Sequence, residues 1–418
     1  MSRRTSFPRD RMRIVLAEGV HERAGEIFER EGFRVEMLAH APGPDELASL
    51  LETAHVLGIR SKTQVEAQHV ASASRLLGVG CFCIGTNQVA LDEAAQRGIP
   101  VFNAPFSNTR SVAELTIAEI VALHRRLFAR SSALHAGHWD KSASGSHEVR
   151  GRVLGIVGYG HIGSQVSVLA EALGMRVVYF DVEPKLALGN AQRLGTLGEL
   201  LGMSDVVTLH VPATPLTRNM IAREQLAGMK PGSFLVNNAR GSVVDVPALA
   251  DAVRSGHLAG AAVDVFPHEP ASKDERFSSE LCGLENVILT PHIGGSTAEA
   301  QANIAEDVVS KLIHFINRGS TTGAVNVPRV ELPEQAVAGE QPESARPHRI
   351  LHFHRNEPGV LSKLHTLIAE LGVNITGEYL QTNARLGYVV LDVSPTDAEE
   401  LLARIRAMPE TIRTRVLW

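Results

Sequence analysis

The sequence predicts an α/β chain in which two parallel sheets precede a small antiparallel module, and three observations carry that prediction. Short β-branched runs alternate with helical patterns as far as residue 326, the arrangement that feeds parallel strands through helical crossovers. An apolar run, Val153-Leu154-Gly155-Ile156-Val157, breaks into the G-x-G-x-x-G turn Gly158-Tyr159-Gly160-His161-Ile162-Gly163. After residue 347 the pattern becomes strand, helix, strand, strand, helix, strand.

Taken in order, runs at 13–16, 35–38, 56–59, 76–79 and 101–102 predict the strands of a first, smaller α/β unit. The chain then crosses to a second unit through a helix after Ser107-Asn108-Thr109-Arg110. There Ser111-Val112-Ala113-Glu114 has the form of a capping box, and apolar residues recur at Val112, Leu115, Ile120 and Leu123. Runs at 153–157, 177–180, 206–211, 234–237, 261–265 and 287–290 predict a complete doubly wound sheet of six strands. A helical stretch at 297–316 returns the chain to the first unit. The expected organisation is therefore a domain of residues 1–107 and 297–326 surrounding a domain of residues 108–296, with a site in the cleft between them. Residues 327–347 hold Pro328, Pro333, Pro342, Pro347 and four glutamates with little apolar periodicity, and read as a linker. The βαββαβ module of residues 348–418 follows the split ferredoxin-like pattern.

Composition narrows the partners. In 418 residues, 44% hydrophobic, the formal net charge is -5, so no basic excess draws a nucleic-acid backbone or an anionic membrane. Five arginines among the first thirteen residues (Arg3, Arg4, Arg9, Arg11, Arg13) read as a solvated tail, and no apolar run reaches the roughly 20 residues of a membrane span. Cys81 and Cys83 form a C-x-C without a second ligand pair, so no metal site is expected; with Cys282 they read as reduced, buried thiols of a cytoplasmic protein.

The glycine turn points to a dinucleotide. Gly158 permits the tight turn, Gly160 lets the backbone approach a pyrophosphate, and Gly163 lets the following helix pack closely, with the diphosphate on the helix N-terminus. The strand at 177–180 ends on Asp181, whose carboxylate suits a ribose 2′-hydroxyl and repels a 2′-phosphate, favouring NAD over NADP. Further on, Asn238-Ala239-Arg240-Gly241 puts a guanidinium at a strand's carboxyl end, where its planar fork can hold a carboxylate. Glu269 lies in the loop after Asp264-Val265-Phe266, and His292 follows Thr290-Pro291. Each of these residues alone reads most simply as structural. Together, at neighbouring strand ends beside a dinucleotide turn, they make a general acid/base couple and a carboxylate binder.

At these motifs the chain resembles the D-isomer-specific 2-hydroxyacid dehydrogenases, in the branch that ends in an ACT domain. The segments 81–87 and 102–109, Asp264-Val265-Phe266, Glu269-Pro270 and Thr290-Pro291-His292-Ile293-Gly294-Gly295 share in the resemblance, which covers nearly the whole chain. It implies a Rossmann NAD-binding domain inserted in a flavodoxin-like substrate domain, plus the ACT module. It implies oxidation of 3-phosphoglycerate to 3-phosphohydroxypyruvate, the entry to serine synthesis, with Arg240, Glu269 and His292 as catalytic residues. NAD contacts are implied at His161, Ile162, Asp181, Asn238, Ala239, Arg240, Asp264, His292, Ile293, Gly294 and Gly295. Substrate contacts are implied at Arg60, Ser61, Lys62, Asn108 and Arg240. His354, Asn356 and Asn374 are implied to bind L-serine as effector between two subunits, and 139–141 to contact a neighbour in a homotetramer. A sister enzyme reducing 2-oxoglutarate or hydroxypyruvate, and a non-catalytic NAD-responsive protein on the same fold, remain as alternatives.

Overall fold

The computed structural model describes residues 8–270, 275–333 and 347–417. Arg3, Arg4 and most of the 327–347 segment read as a linker lie outside the described residues. The described chain divides into two compact units, Asn108–Ala300 and the remainder on either side of it.

The first unit contains two sheets. Strands β1 (Arg13–Leu16), β2 (Arg34–Met37), β3 (Val56–Ile59), β4 (Gly78–Cys81) and β5 (Val101–Asn103) form a parallel sheet in the order β2-β1-β3-β4-β5. That is the flavodoxin-like doubly wound order. Its central strands β3 and β4 are buried throughout, as parallel strands covered on both faces must be. The 21-residue helix Ala298–Arg318 packs onto this sheet, with Val308, Leu312 and Phe315 in one core with Ile14, Phe28 and Phe102.

In the second unit, β6 (Val153–Val157), β7 (Arg176–Phe180), β8 (Gln192–Arg193), β9 (Val206–Leu209), β10 (Ser233–Asn237), β11 (Leu258–Val263) and β12 (Val287–Leu289) form a parallel sheet. Its order is β12-β11-β10-β9-β6-β7-β8. The six expected strands become seven because the two-residue β8 pairs with β7 at the edge, a strand too short to show a period. Chain direction across the sheet reverses between β6 and β9, and the carboxyl ends flanking that switch point are where open α/β sheets take ligands. The crossing helix runs from Thr109 to Arg125, not from a cap at Ser111. Ser111 sits inside the first turn with its hydroxyl donating to the Gly294 carbonyl at 2.6 Å, and Glu114 pairs with Arg110. The expected capping box is thus replaced by a tether from helix to loop.

The last module is an antiparallel sheet of β13 (His348–Arg355), β14 (Ile375–Thr382), β15 (Leu386–Val393) and β16 (Thr411–Leu417) in the order β14-β15-β13-β16. Helices Val360–Glu370 and Ala398–Arg406 cover one face. Its other face shares the first unit's core through Leu351, Phe353 and Tyr388. The Arg349 guanidinium is fixed there by two 2.7 Å bonds to Asp392 and by the carbonyls of Arg318, Leu332 and Pro333, while the Tyr388 hydroxyl donates to the Gly319 carbonyl at 2.6 Å. All three cysteines are free, but of the three expected to be buried Cys81 alone is; Cys83 is half-buried and Cys282 exposed. No helix of the described residues is long and apolar enough to cross a membrane.

Candidate active site

At the end of β6, Gly158 takes φ +90°, and a side chain on Gly163 would overlap the Gly158 carbonyl. Only glycine meets both demands without strain. Gly160 faces open space directly before the His161–Ala172 helix, so a phosphate can approach the backbone of His161 and Ile162 at the helix N-terminus. Asp181, just past β7, accepts the Tyr159 N–H on Oδ2 and the Glu183 N–H on Oδ1, at 2.8 and 2.9 Å. The Asp181 carboxylate expected at a ribose is therefore locked to the glycine turn. Turn, helix N-terminus and acid fit a dinucleotide.

At the end of β10, Asn237 braces the next three residues: its Oδ1 accepts from Ala239 N–H and its Nδ2 donates to the Arg240 carbonyl, both at 3.2 Å. Arg240 bonds the Ala239 carbonyl at 2.7 Å. Gly241 then lies so close to the Phe266 carbonyl group that any side chain would overlap it. This close approach brings the arginine turn against the loop that carries Glu269.

Asp264 organises the end of β11. It is 1% exposed, and its carboxylate accepts from Thr290 Oγ1 at 2.6 Å and from the N–H groups of Ile293 and Gly294 at 2.8 Å. Its own carbonyl takes the His292 N–H at 2.9 Å. These bonds hold His292 at φ +54°, a conformation that is uncommon for a residue with a side chain. The result is a ring aimed by its backbone: His292 Nδ1 meets Glu269 Oε2 at 2.8 Å, and Glu269 Oε1 accepts the Phe266 N–H.

The electrostatics follow. The hydrogen bond and charge of Glu269 raise the His292 pKa, with Asp264 adding to the effect against burial and Arg240. Burial alone would raise the Glu269 carboxyl, but bonds from His292 and Phe266 together outweigh it and hold it below the usual range. Nδ1 being engaged, Nε2 is the nitrogen left to exchange a proton with a ligand.

Thus Arg240, Glu269 and His292 act on one another, and Ile293, Gly294 and Asp264 form one hydrogen-bonded loop. Asn108 is buried, with its amide against Gly295. Asn238 turns inward: its Nδ2 donates to Thr116 Oγ1 and Glu119 Oε2. In the first unit, Arg60, Ser61 and Lys62 follow β3 in a loop fixed by Glu18, which accepts the N–H groups of Lys62 and Thr63, and by Gln88, which donates to the Arg60 carbonyl at 2.6 Å. Sequence reading passed over Glu18, Gln88, Asn237 and Glu119. Of these only Glu119 had left a signal, as a charged residue at helical spacing from Val112, Thr116 and Leu123.

The three expected effector residues do not meet within one chain. His354 pairs with Gly387 in the sheet register, and Asn356 donates to the Asn383 carbonyl at that same end. Asn374 precedes β14, whose first residue pairs with Val393, at the end where β13 begins.

Comparison with known proteins gives the family. A family model described as the NAD binding domain of the D-isomer specific 2-hydroxyacid dehydrogenases matches residues 117–294, and one described as an AHAS small subunit-like ACT domain matches residues 350–413. The chain is 50% identical to a D-3-phosphoglycerate dehydrogenase of Escherichia coli (strain K12), over 99% of this chain and 100% of that one. It is 49% identical to one of Haemophilus influenzae over the full length of both. Among solved structures, D-lactate dehydrogenase from Aquifex aeolicus complexed with NAD and lactic acid superposes with a TM-score of 0.63 at 28% identity, over 72% of this chain and 95% of that one. The second unit is an NAD-binding domain, and the chain belongs to the D-3-phosphoglycerate dehydrogenases, the ACT-bearing branch of the D-isomer-specific 2-hydroxyacid dehydrogenases.

Proposed function

We propose that the chain oxidises 3-phosphoglycerate to 3-phosphohydroxypyruvate, the first step of L-serine synthesis. The observation that carries this reading is the 2.8 Å pair of His292 and Glu269 beside the Arg240 turn and the dinucleotide loop. Bound NAD supplies the hydride acceptor. His292 Nε2 takes the proton of the C2 hydroxyl, and Glu269 stabilises the imidazolium that results. Arg240 holds the carboxylate next to C2 and polarises the forming carbonyl. Arg60 and Lys62, with Ser61 and Asn108, serve the phosphorylated substrate in this reading; the loop's anchorage to Glu18 and Gln88 keeps its charges in place.

We propose in addition that L-serine is the effector and that the protein is an oligomer. Because Asn374 stands at the opposite end of the sheet from His354 and Asn356, one ligand reaching all three needs a second copy. Trp139, 81% exposed, and the exposed Leu127, Phe128 and Leu134 are large apolar side chains of the second unit that a neighbour could cover, which supports this reading. The test is NADH formation from 3-phosphoglycerate and NAD, with and without millimolar L-serine. Turnover suppressed by serine supports both readings. Absence of turnover, with reduction of 2-oxoglutarate or hydroxypyruvate intact, moves the assignment to a sister substrate.

A further inference from the structure

The Thr109–Arg125 helix places one carboxylate on its buried face. Glu119 is 3% exposed, and Oε2 accepts from Asn238 Nδ2 at 2.7 Å. The same amide nitrogen donates to Thr116 Oγ1 at 3.1 Å, which uses both of its hydrogens. The second oxygen of each head group, Glu119 Oε1 and Asn238 Oδ1, is buried and has no donor among the described residues. Two orphaned acceptors on a pair that already shares one bond are a poor solution in a low-dielectric interior. One proton resolves both. A carboxylic acid facing a primary amide forms two antiparallel bonds, N–H to the acid's carbonyl oxygen and O–H to the amide oxygen.

We infer that Glu119 is held as a neutral carboxylic acid paired with the Asn238 amide, and that the pair is a positioning device for the cofactor-facing end of β10. In this reading Glu119 acts through Asn238, which leads into Ala239 and Arg240. The surroundings favour the neutral form. Burial pushes the carboxyl up to about 7, and Asp264 adds to this against the Asn238 bond. Strands β10, β11 and β12, which pack on this helix, bring no titratable side chain. The His161–Ala172 helix brings His161 and Glu171, the Leu127–His135 helix brings Arg130 and His135, and the helix itself carries Arg110, Glu114, His124 and Arg125. An ionised Glu119 would stand against Asp264, whose carboxylate holds the backbone of Ile293 and Gly294, so ionisation loosens two strand ends at once.

The role toward the cofactor rests on the NAD-site reading; the protonation state does not, and two measurements on the full chain keep them apart. In infrared spectra at about pH 6, the wild type should show a carboxylic-acid carbonyl band that Glu119→Gln lacks and that titrates away near pH 7. Asn238→Ala should move that band to the higher frequency of an unbonded acid. In NADH fluorescence titrations from about pH 6 to about pH 8.5, wild-type affinity should weaken by roughly 3- to 10-fold. Glu119→Gln, whose amide reproduces both bonds of the neutral acid, should keep the low-pH affinity throughout. Spectra of wild type and Glu119→Gln that do not differ in this band, or a band unmoved by Asn238→Ala, overturn the acid–amide pair. Equal pH dependence of NADH affinity in wild type and Glu119→Gln overturns the positioning role.

Discussion

His292 and Glu269 meet through Nδ1 and Oε2 at 2.8 Å, and the backbone that makes this meeting possible has the histidine at φ +54°. The bond fixes which ring nitrogen faces outward and, by raising the His292 pKa, sets the pH at which the ring becomes a base.

With His292 as the proposed base, alcohol oxidation needs its neutral ring, so oxidative kcat/KM should rise as pH climbs through the raised value. Glu269→Gln removes the largest cause of the rise, and the profile should shift to lower pH while kcat falls by about two decades. An unmoved profile would separate the measured limb from this pair. The pair's contribution to stability has its own window. The raised histidine stabilises below its ordinary value of 6.5 and loses this as pH climbs through the raised one. The lowered carboxyl stabilises above 4.5 and loses this as pH drops through the lowered one. The melting temperature of Glu269→Gln should therefore fall most, relative to wild type, between those values.

Asp264→Ala strands three donors that its carboxylate now satisfies, Thr290 Oγ1 and the N–H groups of Ile293 and Gly294. Leaving buried donors unpaired costs about 1–3 kcal/mol each before relaxation. Urea unfolding should show a loss on the order of 2 kcal/mol or more, and kcat/KM should fall further than a melt alone explains, since the His292 ring loses its aim.

Asp181→Ser keeps a hydrogen-bonding group at the end of β7 but removes the charge. The ratio of kcat/KM for NAD over NADP should drop by at least tenfold on the scale of one lost charge repulsion, about 1.4 kcal/mol. Initial rates with each cofactor measure it.

Arg349→Met leaves Asp392 buried without its guanidinium. The Arg349 and Asp392 side chains are only 1% and 7% exposed, and breaking such a pair from one side costs about 3–5 kcal/mol. Guanidinium chloride unfolding followed by circular dichroism should register that loss. Restoration in the double variant with Asp392→Leu would confirm that the stranded carboxylate is its source.

His354→Ala and Asn374→Ala chains should each lose the response to L-serine. Since the two residues stand at opposite ends of the ACT sheet, mixed oligomers of the two variants should regain some intact sites. Inhibition by serine that returns on co-expression, and not in either variant alone, is the expected result.

The sequence made the second unit's chemistry legible because its signals are local. A glycine turn, a strand-end acid and an arginine or histidine just past an apolar run all lie within a few residues of the elements that position them. The same reading missed β8, because two residues cannot show an alternation, and it misread Ser111, whose spacing to Glu114 mimics a cap while its hydroxyl reaches Gly294. Supporting residues were harder to read than functional ones. Glu18 reaches Lys62 and Thr63 across 44 and 45 residues, and Glu119 reaches Asn238 across 119; no window along the chain contains both partners. In the ACT module the sequence named three residues but not their separation, which the strand register reveals.

The interruption of the first unit by the second bears on how the chain is made. Val308, Leu312 and Phe315 fill the same core as Ile14, Phe28 and Phe102, so the early strands emerge from the ribosome without the helix that will cover them. At bacterial and eukaryotic elongation speeds, synthesis of the intervening Asn108–Ala300 unit occupies roughly 10–40 s. During that interval the later unit has all of its own strands in hand before the earlier one does. The order of completion on the ribosome is therefore the reverse of the order of translation, and the nascent β1–β5 sheet is the surface that a chaperone would meet first.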